Sequence, residues 1–270
     1  GINVLPFFVG SEGTLDIVTE VTVKIRKKNK NYRWLVALFP TFQQGTNYMK
    51  EIAQAGIKPS VVRLSDANET NLFSKMSSSE EQPGLLNDIK KEAQKLVLQF
   101  KNLTEPCVLM MRFPQGDFSV SSQILFAKEL VGKYKGMVAP SSIGDKWADN
   151  RFKLPYLRDT LVEHSIYIDT METLVHWKDI PKLHQALTKE LNKSTAFNKQ
   201  KGIFLAHISH IYPNAACIYF TLITPILRGR EIEQWQEIKD LVTNTIMQNN
   251  GSVSHHHSVG ADHQKWYKKY

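Results

Sequence analysis

The chain has 270 residues, 42% of them hydrophobic, with a formal net charge of +8 at pH 7. This is enough apolar material for a large core in one or two domains, and no apolar run approaches the roughly 18 residues of a bilayer-spanning helix. The positive charge favours anionic partners: phosphates, carboxylates, nucleic acid or an acidic lipid surface.

The two cysteines, Cys107 and Cys217, lie far apart in apolar strand-like runs. Buried reduced thiols in a cytosol-like compartment fit them better than a disulfide. The first residue is not Met and no secretory apolar region follows it. The opening already reads as mid-domain, so any targeting segment is expected upstream.

In chain order, Gly10-Ser11-Glu12-Gly13-Thr14-Leu15 comes first. Gly10 and Gly13 permit close approach of backbone to a ligand, Ser11 can cap a helical turn, and exposed N–H groups at such a turn suit a phosphate. The alternating Val21-Thr22-Val23-Lys24-Ile25 reads as a strand, and Lys24 to Lys30 as a solvated loop before the next one rather than a nucleic-acid arm.

From Trp34 strand and helix alternate. Strands are expected at Trp34 to Phe39, Ser60 to Leu64 and Val108 to Phe113. Helices are expected at Thr41 to Ala55 (closed by Gly56), Asn68 to Met76, Leu85 to Phe100 and Ser119 to Tyr134, with a loop at Ser77 to Gly84. Loops this short suggest an α+β fold, a sheet with helices on one face. No internal sequence repeat is visible.

The stretch Trp147 to Pro155 is less regular. Arg158 follows in Tyr156-Leu157-Arg158-Asp159. Its simplest role is a surface pair with Asp159, worth about 0–1 kcal/mol. The alternative is an anion clamp, because a guanidinium fork fits a carboxylate or phosphate bidentately. A strand at Ser165 to Asp169 and a helix at Ile180 to Leu191 come next. Ile203 to Ile211 and Ala215 to Thr224 form a hairpin around Tyr212-Pro213-Asn214. By the period of two, Tyr219 shares a face with Cys217 and Thr221, while Ile218 and Phe220 point to the core. Such a tyrosine is either a half-buried packing residue or a general acid aimed into a cleft.

A helix over Glu231 to Met247 leads to Ser252-Val253-Ser254-His255-His256-His257-Ser258-Val259-Gly260. The alternation at 252–254 predicts a short strand, which would put His255 and His257 on one face and His256 on the other. Three adjacent imidazoles can donate protons, accept them or bind anions near neutral pH. Zinc is disfavoured, since tetrahedral sites draw ligands from separate turns and elements. A solvated polar loop is the plainer alternative.

The Gly10–Leu15 motif, Tyr156-Leu157-Arg158-Asp159, Ala216-Cys217-Ile218-Tyr219-Phe220 and Ser254-His255-His256-His257 stand in the order and spacing of flavin-dependent oxidases of the vanillyl-alcohol-oxidase type. More narrowly, the chain resembles the alkyldihydroxyacetonephosphate (alkylglycerone-phosphate) synthases, from Gly10 to its last residue. The triple histidine combined with Arg158 and Tyr219 carries most of the specificity.

The resemblance implies a FAD enzyme. Residues 1–32 would end a FAD-binding domain, with Gly10, Ser11, Glu12, Gly13, Thr14 and Ile17 contacting FAD. Residues 33–248 would form a cap with a large antiparallel sheet in ferredoxin-like halves, flanked by helices. Residues 249–270 would carry the His-rich active-site segment and the start of a closing helix. The implied reaction exchanges the acyl group of acyl-dihydroxyacetone phosphate for a fatty alcohol through an adduct at the flavin N5. Arg158 would meet the departing carboxylate, and Tyr219 with His255, His256 and His257 would move protons and hold phosphate. No metal and no nucleic acid are implied. Peripheral membrane contact, a homodimer and a cytoplasmic or membrane-peripheral location (peroxisomal in a eukaryote) are compatible with the family.

Two departures stand out. Asp16 replaces a family glycine beside the pyrophosphate, where a carboxylate weakens FAD binding unless it points away. Ser258 replaces the glycine after the third histidine, so that turn must avoid φ > 0 or carry strain. The family's N-terminal FAD half has no counterpart in these residues, so the 270-residue chain is expected to be a fragment that binds FAD poorly alone. A FAD-dependent 2-hydroxy-acid (D-lactate or glycolate) dehydrogenase shares the Gly10–Leu15 loop, but resembles Glu-His-Gly where this chain has His256-His257-Ser258. A non-catalytic ligand-binding domain with structural histidines is the third reading.

Overall fold

The computed structural model describes residues 2–25, 31–78, 106–115, 118–152, 156–198 and 201–268. The helix expected at Leu85 to Phe100, most of the loop before it and most of the basic stretch before residue 31 lie outside these residues.

After a single turn of helix, α1 (Leu5–Phe8), residues 9–25 contain neither helix nor strand, and Val21, Val23 and Ile25 are exposed. The strand expected there does not form. A strand needs a neighbour for its N–H and C=O groups, and none of the described residues pairs with it.

The rest builds two similar halves. The first runs β1 (Tyr32–Phe39), α2 (Phe42–Gln54), β2 (Val61–Ser65), α3 (Ala67–Ser78), β3 (Cys107–Pro114), α4 (Phe118–Lys133) and β4 (Met137–Ala139). Thr41 caps α2 by accepting the Gln44 N–H at 3.2 Å, and Gly56 (φ +74°) ends it as the sequence predicts. Two short helices follow, α5 (Ser142–Asn150) and α6 (Leu157–Glu163). The second half runs β5 (Ile166–His176), α7 (Ile180–Leu191), β6 (Ile203–Ile211), β7 (Ala215–Pro225) and α8 (Glu231–Gln248), and α9 (Gly260–Tyr267) comes last.

Among the described residues seven strands form one sheet in the order β4-β1-β3-β2-β6-β7-β5, and every pairing is antiparallel. Within the first half the order is fourth-first-third-second, the ferredoxin-like pattern. The second half repeats first-third-second as β5-β7-β6, with no fourth strand among the described residues. A fourth strand would lie beside β5. Residues 252–254 occupy that edge, with Ser252 N–H donating to Leu174 O at 2.9 Å and Leu174 N–H donating to Ser252 Oγ at 2.9 Å. The expected strand at 252–254 is therefore an irregular strap. The Ser252 hydroxyl takes a hydrogen bond that the next backbone carbonyl of a ladder would otherwise take, and the regular pattern stops.

The helix-covered face of the sheet holds the main core. Tyr48, Met49, Ile52, Leu183, Leu187, Ile238 and Val242 pack on Leu109, Met111, Ile208, Ile218 and Phe220, all essentially sealed from solvent. The other face has a small apolar cluster of Val36, Leu38, Met110 and Ala139, with Trp34 and Trp147 packed on it from β1 and α5. Polar and ionisable side chains occupy much of what remains of that face. Among the described residues no helix is long and apolar enough to cross a membrane.

Candidate functional site

Strand register assembles the site. Ser65, His207, Tyr219 and Glu172 are successive partners across β2, β6, β7 and β5. Alternation puts the whole row on the face opposite the main core. A bulge between Ile208 and His210 brings His210, not Ser209, opposite Cys217. The extra residue turns a side chain that strict alternation would send to the core onto the site face.

The His run closes over this row. It does not continue as an extended strand with alternating faces. Glu172 Oε1 accepts the backbone N–H groups of His255, His256 and His257 at 3.2, 2.7 and 3.1 Å. Three consecutive N–H groups cannot reach one oxygen from an extended backbone, where successive groups point to opposite sides. The run therefore curls around the carboxylate, whose side chain is 2% exposed. Glu172 Oε2 lies 3.0 Å from His256 Nδ1 and 3.8 Å from His257 Nε2, and accepts the Cys217 thiol at 3.6 Å. Burial alone would raise the Glu172 pKa. The His256 N–H, the charges of His257 and His256, and the His255 N–H outweigh burial and hold the carboxyl below its ordinary range.

The rings cluster as a result. His255 Nδ1 and His256 Nδ1 are 2.9 Å apart, and His255 Nε2 is 2.9 Å from the Tyr212 hydroxyl. His210 lies 4.9 Å from His256 between ring centroids, and His257 lies 4.5 Å from His256 and 5.8 Å from Tyr219. Burial lowers the pKa of His255, opposed by the charge of Glu172. Burial lowers His210 too, with His256 and His255 adding to it. In both, burial favours the neutral imidazole. Tyr219 is half-buried, and burial raises its pKa, so its phenol keeps its proton.

Tyr219 also stacks on His207 at 5.0 Å between centroids. His207 Nδ1 sits 3.1 Å from Glu69 Oε1 and 3.0 Å from Arg63 Nη2, and Arg63 pairs with Glu69 at 2.9 Å. Burial opposes ionisation of Glu69, but Arg63 and His207 prevail and lower its pKa to about 2. A buried guanidinium–carboxylate–imidazole group thus backs the tyrosine.

The Gly-Ser-Glu-Gly loop docks on the far end of the His run. Ser258 Oγ donates to Glu12 O at 2.7 Å, and Val259 N–H donates to the same carbonyl at 3.2 Å. Ser258 adopts φ +74°, the strained one of the two options expected for it. Asp16 turns back on its own loop, accepting the Ile17 N–H at 2.7 Å. Gly10, Gly13, Thr14 and Ile17 are exposed, Ser11 is half-buried, and the loop is tied down by Thr14 N–H to Ser11 O at 3.0 Å.

Of the residues singled out from sequence, Tyr219, His255, His256 and His257 converge, and the Glu12 loop abuts them. Arg158 does not join them: it is exposed on α6, and among the described residues it bonds neither the histidines nor Asp159. Glu172, His207, His210, Tyr212, Arg63 and Glu69 receive no site role from the sequence. Extending the hairpin register to the strand at 165–169 would have paired Tyr219 with a carboxylate.

The ligand atoms of His210, Cys217, His255 and His256 lie within 4.8 Å of one another, a donor set that suits a soft metal. Both His255 nitrogens are already in hydrogen-bond contact, and burial pushes the Cys217 pKa up to about 12. His210 Nδ1, in turn, lies 2.9 Å from the Ser209 hydroxyl.

Residues 28–270 match the family described as FAD linked oxidases, C-terminal domain. The chain belongs to that family. The Dictyostelium discoideum protein named alkyldihydroxyacetonephosphate synthase is 30% identical over 280 residues, taking in 100% of this chain and 44% of that protein. The Trypanosoma brucei brucei protein of the same name is 28% identical over 276 residues, again 100% of this chain and 44% of that one. A solved alkyldihydroxyacetonephosphate synthase matches with TM-score 0.77 at 26% identity, covering 100% of this chain and 48% of that chain. The chain spans about half the length of the relatives it matches. The seven-stranded antiparallel sheet with flanking helices is this family's C-terminal domain fold.

Proposed function

We propose that this chain provides the cap and the proton-transfer face of a FAD-dependent alkylglycerone-phosphate synthase. The reaction exchanges the acyl group of acyl-dihydroxyacetone phosphate for a fatty alcohol. The observation that carries the reading is the meeting of Tyr219 with His255, His256 and His257, from β7 and a distant strap, beside a loop of flavin-contact type. The alkyldihydroxyacetonephosphate synthases at 28–30% identity support the same activity.

The residues present fit a flavin. Glu12 Oε2 is buried and has no hydrogen-bond partner among the described residues, so it can accept from a ribose or ribityl hydroxyl. Gly10 (φ +83°) has open space where a Cβ would stand, so ligand atoms can approach its backbone. Bound there, FAD supplies a ring system able to take up and return an electron pair.

The chemistry asked of the protein is proton movement and charge stabilisation. The bond between C1 and the acyl oxygen breaks and the fatty acid leaves as its carboxylate with both electrons. The alcohol oxygen then bonds to C1 and its proton must be taken up, with no net redox change. A protonated phenol beside a cluster of imidazoles suits the C1 proton and the alcohol proton. Tyr219 is assigned as acid and His256 or His257 as base, and the other two rings of the run are the candidates for the phosphate. Arg158 is assigned to the departing carboxylate because its fork fits one. It stands on α6, which leads directly into the strand of Glu172. Acyl-dihydroxyacetone phosphate and a fatty alcohol are the proposed ligands, and the net charge of +8 suits a phosphorylated substrate at an acidic membrane surface.

Alkyl exchange tests this reading. The full-length protein should convert acyl-dihydroxyacetone phosphate and a labelled fatty alcohol into labelled ether product, and Tyr219→Phe should lower the rate by about 100-fold or more. Electron transfer from D-lactate to a dye, without ether product, would assign the site to a 2-hydroxy-acid dehydrogenase.

A further inference from the structure

We propose that Glu172 is a positioning residue that shapes the His255–His257 run into a single catalytic surface beside Tyr219. The inference rests on the alkyl-exchange reading and extends it to a residue that none of the motifs contains.

The argument begins with the oddity of the contact. A carboxylate with a 2% exposed side chain is costly to bury unless its lone pairs are filled. Here one oxygen takes three successive backbone N–H groups and the other faces two imidazoles and a thiol. The cradle of backbone N–H groups that would otherwise be an anion site is thus filled from within the protein. Because those three N–H groups belong to the three histidines, the carboxylate fixes the backbone from which every ring departs. His256 Nδ1 is also gripped directly at 3.0 Å.

Strand register fixes Glu172 in turn. It is paired with Tyr219, so acid and imidazoles are referenced to one point on the sheet. The strap is pinned just upstream by Thr173 Oγ1 donating to Ser252 O at 2.7 Å. Without the carboxylate the three N–H groups would need water, and the run would be held only at its ends and through the Tyr212 contact to His255.

The negative charge has a second effect. The ionisable groups that interact with Glu172 are His255, His256 and His257 on the strap, His210 on β6, Cys217 and Tyr219 on β7 and Tyr212 in the hairpin turn; one step further out, His207 acts on His210, Asp169 on Tyr219 and Glu12 on His255. Within this set Glu172 opposes the depression of His255 and His210. It tunes the imidazoles as well as aiming them.

The test combines histidine titration with kinetics in the FAD-loaded full-length protein. Histidine Cε1–H resonances are followed against pH in wild type, Glu172→Gln and Glu172→Asp, and alkyl exchange is measured on the same samples. In Glu172→Gln the His255 and His210 midpoints should fall, and kcat should drop about 10- to 100-fold, with KM for the acyl substrate nearly unchanged. Glu172→Asp keeps the charge on a shorter arm, so its midpoints should return towards wild type while kcat stays low. Unchanged midpoints in Glu172→Gln would overturn the proposal, as would lowered midpoints with wild-type exchange. If wild type itself makes no ether product, the exchange reading fails, while the titration still decides whether Glu172 governs the histidines.

Discussion

Ser258 Oγ donates to the carbonyl of Glu12 at 2.7 Å, joining two loops 246 residues apart in sequence. The bond ties the expected FAD loop to the end of the His run, and Ser258 makes it at φ +74°, where a non-glycine residue is strained. Strain and hydrogen bond oppose each other, and two substitutions separate them. Ser258→Ala keeps the strain and loses the bond, so it should be less stable than wild type by about 1 kcal/mol. Ser258→Gly loses the bond but relieves the strain, so it should lie close to wild type. Denaturant midpoints of the three proteins measure both effects, and equal losses would show that the strain is negligible.

Gly251 sets the path of the strap before the histidines. A Cβ there would stand 2.6 Å from Thr173 Oγ1 and 3.2 Å from the Ile246 carbonyl. Thr173 cannot yield freely because it holds Ser252 O. Gly251→Ala should cost about 1–3 kcal/mol and slow exchange by displacing the run. A thermal melt and the exchange assay check it, and unchanged values in both would show that the strap adapts.

Acid should act on the fold in two stages. His207, His210, His255 and His263 all have pKa values depressed by burial. Each binds its proton more readily unfolded, so stability falls as pH drops below the ordinary histidine value near about 6.5. Glu69 and Glu172 are depressed carboxylates, whose contribution is present above the ordinary value of about 4.3 and lost below it, for Glu69 down to about 2. Urea midpoints should therefore fall between about pH 7.5 and 5.5 and fall again below about pH 4.5. A protein more stable at about pH 5.5 than at 7.5 would contradict the lowered histidine pKa values.

How much of this was legible in the sequence follows from where each signal resides. Helix 180–191 was read to the residue, because Pro181 marks its first turn and Ile180, Leu183, Leu187 and Leu191 repeat at helical spacing on its buried face. The 203–211 and 215–225 hairpin, and the outward face of Tyr219, followed from alternation alone. Glu172 is hidden in the sequence because the strand pattern expected at 165–169 breaks after Asp169. The run Thr170-Met171-Glu172-Thr173 mixes polar and apolar residues, and Glu172 points into a site that accommodates a carboxylate only through three N–H donors from residues 255–257. His210 was hidden by the bulge, which no local pattern announces. The strand expected at 252–254 lies along a real sheet edge, but serine hydroxyls replaced its ladder. The duplicated ferredoxin-like order left no visible repeat because it is a repeat of topology rather than of residues.

Tyr219 and the histidines are proposed to act on one substrate carbon, and the origin of the product's ether oxygen reports on that most directly. With full-length, FAD-loaded protein, acyl-dihydroxyacetone phosphate and a fatty alcohol labelled in its hydroxyl oxygen, the label should appear in the ether link. Tyr219→Phe and His256→Ala should each suppress it without loss of bound flavin. An ether-free mixture from active, flavin-loaded protein, or full labelling by both variants, would contradict the account.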